Sequence, residues 1–136
     1  MKTFKLHAMK IFENEQEELV KHKIQLLDGL IINREDEKNR WVIEAYLESD
    51  CKEYFMNLRD NYEEIMVEVI ITKESNDPAT FITSIIGIND IGDHINVLFM
   101  GTIVDQRKNK IEEMLGALIN KGYQGEELLD RFKELI

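Results

Sequence analysis

The densest group of potential ligands in this chain is Asn89, Asp90, Asp93 and His94, in the run NDIGDH. Their oxygens suit a hard cation such as calcium. The same residue types build turns, because Asn, Asp and Gly tolerate the backbone conformations that a turn requires. The run lacks the spacing and the closing glutamate of an EF-hand, so a turn is the expected role and a metal the alternative. Cys51 stands beside Lys52. A neighbouring cation can lower a thiol's pKa and make it a nucleophile, but no base accompanies it, which favours a structural thiol. Glu44, Glu48, Glu64 and Glu68 could supply paired carboxylates for acid–base work. In so acidic a chain they are expected on a solvated sheet face. Trp41, Tyr46, Tyr54 and Phe55 could line a ligand groove, although aromatics on strands more commonly fill a core. His7, His22 and His94 lie too far apart for a local zinc site, and one cysteine is too few for a structural one. There is no glycine-rich phosphate loop and no G-x-S-x-G elbow. No catalytic residue and no cofactor is assigned.

The elements that must position these residues come from 136 residues with a net charge of −10. That length suffices for one domain whose core needs no metal or disulfide. The acidity is uneven: residues 105–136 carry seven acids and six bases, while residues 1–104 carry the other twenty acids and eleven bases. Such a balance opposes binding to a phosphate backbone or to anionic lipid, so neither nucleic acid nor membrane is an expected partner. A single cysteine cannot form an intrachain disulfide, which suits a reducing compartment. The opening MKTFKLHAMKIF has no continuous apolar stretch of the kind a secretory signal needs. A cytoplasmic protein is expected.

The hydrophobic pattern has period two through most of the chain. Strands are expected at Thr3–Phe12, Arg40–Glu48, Glu64–Thr72, Thr80–Ile88 and Ile95–Val104. Asp28-Gly29 lies between two apolar runs and is a strong hairpin signal, because a type I′ turn needs positive φ. It predicts a hairpin of Val20–Leu27 with Leu30–Arg34. Glu53–Arg59 reads as a short strand or a helical turn. The strand Ile95–Val104 is apolar on both faces, so both should be covered; its outer face is expected under the helices that follow. Past Asp105 the period becomes helical. Ile111, Met114, Leu115, Leu118 and Ile119 form one stripe in Gln106–Lys121, with Asp105 as N-cap and Gly122 just past the end. The basic run Arg107–Lys110 lies in the first turn, and a second short helix starts at Gly125. The fold class is therefore mainly β: an antiparallel β-barrel or sandwich of seven to eight strands (residues 1–104) with a C-terminal two-helix hairpin (residues 105–136) packed on it.

The segments MKTFKLHAMKIF, KIQLLDGLIINRED, RWVIEAYL and INVLFMGTIVD together resemble the YwpF-like family of small bacterial proteins. The resemblance spans essentially the whole chain, but these are structural segments, so no functional residue carries over. It implies a β-barrel with a C-terminal helix pair, similar in shape to the tube-forming haemolysin-coregulated proteins of type VI secretion systems. Shape of that kind does not transfer function.

Two functions remain. One is a non-enzymatic module that binds a protein partner or another copy of itself, for which an apolar patch outside the core would speak. The other is a small-ligand binder or enzyme with a site at the barrel mouth, near Asn89–His94 or the Trp41–Tyr46 strand, for which a deep pocket would speak.

Overall fold

A computed structural model describes residues 1–16, 18–104 and 108–136. Seven strands follow one another as β1 (Lys2–Glu15), β2 (Glu18–Ile24), β3 (Asp28–Asn33), β4 (Arg40–Glu48), β5 (Ile65–Ile71), β6 (Ala79–Ile91) and β7 (His94–Ile103). Helix α1 (Lys52–Asn61) separates β4 from β5, and α2 (Lys108–Asn120) and α3 (Gly125–Leu135) follow β7. All pairings are antiparallel, in the order β2-β1-β3-β4-β7-β6-β5, and β1 also pairs with β5. Six strands therefore close a barrel and β2 is extra. The choice between barrel and sandwich falls to the barrel.

Closure rests on the length of β1. One of its edges bonds to β5 over Leu6–Ile11. The other bonds first to β3 over Lys2–Lys5 and then to β2 over Met9–Glu15. Thus β2 and β3 do not pair with each other. They form one bent arm that runs back along β1 from a turn at Gln16, whose φ is +49°. The expected Asp28-Gly29 hairpin is corrected accordingly: this dipeptide begins β3. Gly29 is needed for space rather than for positive φ, since a Cβ there would lie 2.9 Å from both the Leu6 side chain and the Glu44 carbonyl. The β3–β4 connection is held by Asp36, which accepts the Arg40 backbone N–H at 2.9 Å and its Nε at 2.8 Å. The Arg40 backbone bond is the main cause of Asp36's lowered pKa.

The barrel interior takes alternate residues from each of the six barrel strands, among them Leu6, Ile31, Ile43, Val67, Phe81 and Phe99. Glu53–Arg59, left open between strand and helix, is helical. Its alternation fails because Phe55 and Leu58, three apart, both turn inward and join the barrel core. Phe55 is fully buried and meets Phe99 edge-on at 6.0 Å. The expected long turn Asn89–His94 is mostly strand: β6 runs to Ile91, opposite His94, leaving Gly92 and Asp93 as the turn. Gly92 has φ +59°, as the first position of a type II′ turn requires.

A second apolar core joins the C-terminal helices to the barrel. Met66 and Ile82, outward on β5 and β6, lie with Val104 under Ile111, Leu115, Leu118, Leu128 and Phe132. Helix α2 ends in a Schellman motif, with Tyr123 N–H on the Leu118 carbonyl, Gly122 N–H on Ile119 and Gly122 at φ +97°. The expected N-cap Asp105 and Arg107, the first residue of the expected basic run, lie outside the described residues, while residues 108–110 of that run open α2. The helices cover β5 and β6, not β7. The outward Leu98 and Met100 of β7 belong to neither core, which corrects the expectation that this face lies beneath them.

Gly101 marks the tightest point of the barrel. A Cβ there would lie 1.9 Å from the Ile82 carbonyl oxygen. Gly101→Ala is expected to cost about 2–3 kcal/mol by overpacking, read as a lower urea midpoint with unchanged slope.

Candidate functional site

Three features outside the barrel interior have a defined geometry. The first is a row of apolar side chains across the outward face of β3, β4, β7 and β6. The register sets Leu30 and Leu98 on either side of Glu44, and Ile32 and Met100 on either side of Val42. A bulge in β6 between Ile85 and Gly87 adds Ile86 at the end. Leu30 and Ile86 are 41% and 50% exposed. None of these residues belongs to either core. Arg34 lies against Met100, its guanidinium 3.4 Å from Sδ.

The second feature is a cleft of about 420 Å³ where β1, β5, α1 and the two C-terminal helices meet. Phe12, Leu19, Leu58, Met66, Leu115 and Leu129 supply its apolar lining, and Glu13, Glu15 and Glu64 its charge.

The third is an ion cluster that ties α2 to the sheet. Glu68, on the outward face of β5, is 4% exposed. Lys21 of β2 reaches it at 3.4 Å and also bonds Glu112 of α2. Burial works against the Lys21 charge, but the bond to Glu112 and the attraction of Glu68 outweigh it and raise its pKa.

The residues with chemical potential are dispersed among separate partners. Asp90 holds Lys52 through both oxygens, at 3.0 and 2.9 Å. His94 Nδ1 meets the Tyr46 hydroxyl at 3.0 Å, and its Nε2 lies 3.4 Å from Glu48. Asn89 donates to Asn96, which donates to Glu44. Asp93 is exposed in the turn. Among the described residues, no three His, Cys, Asp or Glu side chains are grouped to hold a metal. The four glutamates also have separate partners: Glu64 pairs with Lys133. Glu68 departs from the expected solvated face, because α2 lies over it. His22 stacks on Tyr54 at 4.8 Å, while His7 is exposed on β1. Of the aromatics, Trp41 packs edge-on against Phe81, and Phe55 is core. Tyr54 donates to Glu13; burial first, and then this carboxylate, raise its pKa above the usual phenol range. The cleft lies away from Asn89–His94 and the Trp41–Tyr46 strand, and of the four expected carboxylates Glu64 lines it. Glu13 and Glu15 come from just past the expected strand Thr3–Phe12 and Glu64 from the start of another, and no local pattern signals that these meet.

Fold and surface together define a small closed antiparallel barrel with a plugging helix and a covering helical hairpin. The family model described as YwpF-like protein matches residues 2–135, and the chain belongs to that family. It is 37% identical over 134 residues, 98% of each chain, to the Bacillus subtilis (strain 168) protein named "Uncharacterized protein YwpF". The crystal structure of a hypothetical protein from Staphylococcus aureus superposes with a TM-score of 0.69 at 32% identity, covering 98% of this chain and 91% of that one.

Burial, then Asp50 and Glu48, raise the Cys51 pKa. Cys51 should therefore react with iodoacetamide at pH 8 more slowly than free cysteine does, as read by mass spectrometry. Lys21→Met should cost about 2 kcal/mol, less than loss of a partner in a fully buried pair because Lys21 is 23% exposed. Because the folded pKa lies above the unfolded 10.5, the Lys21 contribution is complete below that pH and is lost as pH rises through the folded value. The stability gap between wild type and Lys21→Met should accordingly narrow at strongly alkaline pH in urea titrations.

Proposed function

We propose that this protein is a non-enzymatic assembly module that associates with a second copy of itself through the outward face of β3, β4, β7 and β6. The observation that carries the reading is the apolar row Leu30, Leu98, Ile86, Ile32, Val42 and Met100, which neither core includes. In a chain of net charge −10, most of the surface repels a copy of itself. This face is locally mixed: Lys5 and Arg34 lie near it together with Asp28 and Glu44. A two-fold contact must be self-complementary, and a patch carrying both signs can be. Edge pairing is the less favourable route. The barrel strands are closed on each other, and β2 carries Lys21, His22 and Lys23, the kind of charge that blunts an edge. A ring of more than two copies, in keeping with the tube-forming shape that the family resemblance implies, is a version of the same reading. Among the described residues, no helix is long and apolar enough to cross a membrane. With its one free cysteine, the module suits the cytoplasm.

Light scattering across a concentration series should give a mass of two or more whole chains. Leu30→Glu with Ile86→Glu, at exposed positions, should return it to the single-chain mass with an unchanged circular dichroism spectrum. A single-chain mass for the wild type at every concentration would sink the proposal.

A further inference from the structure

The cleft shares no residue with the apolar face, and its chemistry points elsewhere. Its volume of about 420 Å³ falls in the range of small-molecule sites. Its floor is aliphatic and aromatic, and no Lys, Arg or His lines it. The three lining carboxylates differ in their partners. Glu13 accepts the Tyr54 hydroxyl and Glu64 pairs with Lys133. The Glu15 side chain has no hydrogen bond or ion pair among the described residues and stands directly opposite Glu18 in the β1–β2 register. Like charges placed so are mutually unfavourable, and a cation between them would relieve the repulsion. One contribution runs the other way. The N-terminus of α3 opens on the cleft at Gln124 and Gly125, and its partial positive charge favours an anion. Glu126 and Glu127 in its first turn already offset that charge.

We infer that the cleft binds a small organic cation, an apolar body carrying a protonated amine, with the body on the Phe12–Met66–Leu129 floor and the ammonium at Glu15, the lining carboxylate that no described side chain pairs. The apolar part supplies burial and the carboxylates select the sign of charge. Anions of the same shape are rejected because they would face three carboxylates and no cationic lining residue.

The test is calorimetric titration of the full chain, below micellar concentrations, with octylammonium, octanol and octanoate. Octylammonium should bind at least about tenfold more tightly than octanol, octanoate should not bind, and the preference should shrink with added salt. Glu15→Gln, at an exposed position, should weaken octylammonium about threefold and leave octanol unchanged. Equal binding of all three, or of none, would overturn the inference. So would capture of a lysine-bearing peptide by a cleft that ignores octylammonium, since the site would then belong to a protein segment.

Discussion

Everything in this molecule depends on β1 being long enough to serve three partners. One edge holds β5 and closes the barrel, while the other holds β3 and then β2. Shortened by a turn's worth of residues at its far end, β1 could close the barrel, but it would give β2 nothing to pair with. The extra strand matters because Lys21 projects from it to Glu68 and Glu112, joining the sheet to α2. Hydrogen bonds of the backbone thus decide where the helical hairpin can rest. The second apolar core then makes that position favourable, with Met66 and Ile82 as its base.

The hairpin's position divides the outer surface of the barrel. Over β5 and β6 it buries the outward apolar residues, and at its margin it leaves the acid-lined cleft. Over β3, β4 and β7 no described element lies, and there Leu30, Ile32, Val42, Leu98 and Met100 face outward beside the polar Glu44 and Asn96. Sheets with one wet face usually alternate apolar with polar residues. The departure is concentrated on that face, which is where a role in association is most economically placed. The cleft and the face differ in electrostatics: the first is uniformly acidic in its lining, the second mixed in sign. The proposed cation binding rests on the first and the proposed self-association on the second.

The closeness of Gly29 to Leu6 and of Gly101 to the β6 backbone shows a second use of glycine here. Both permit neighbouring chain to approach where a side chain could not fit. Gly92 and Gly122, in contrast, have the positive φ of a turn and a helix end. The residue type is the same, and only the surroundings tell the two roles apart.

That ambiguity marks the boundary of what the amino-acid sequence by itself determined. Periodicity established the mainly β class, the switch to helices after β7, the helix end at Gly122, and five strand positions, because alternation and helical stripes are local consequences of burying one face. It did not decide which strands pair. Asp28-Gly29 has the composition of a hairpin turn, yet β2 and β3 each pair with β1, since long-range hydrogen bonding outweighed a local turn preference. It did not separate strand from helix at Glu53–Arg59, where only the open barrel end explains why Phe55 and Leu58 turn the same way. It registered that β7 is apolar on both faces, but not that the helices would cover β5 and β6 instead. The partners of Asp90, His94 and Glu68, and the meeting of Glu13, Glu15 and Glu64 at one cleft, arose only in three dimensions. These contacts join residues far apart in the chain, and neither spacing nor composition encodes such distances.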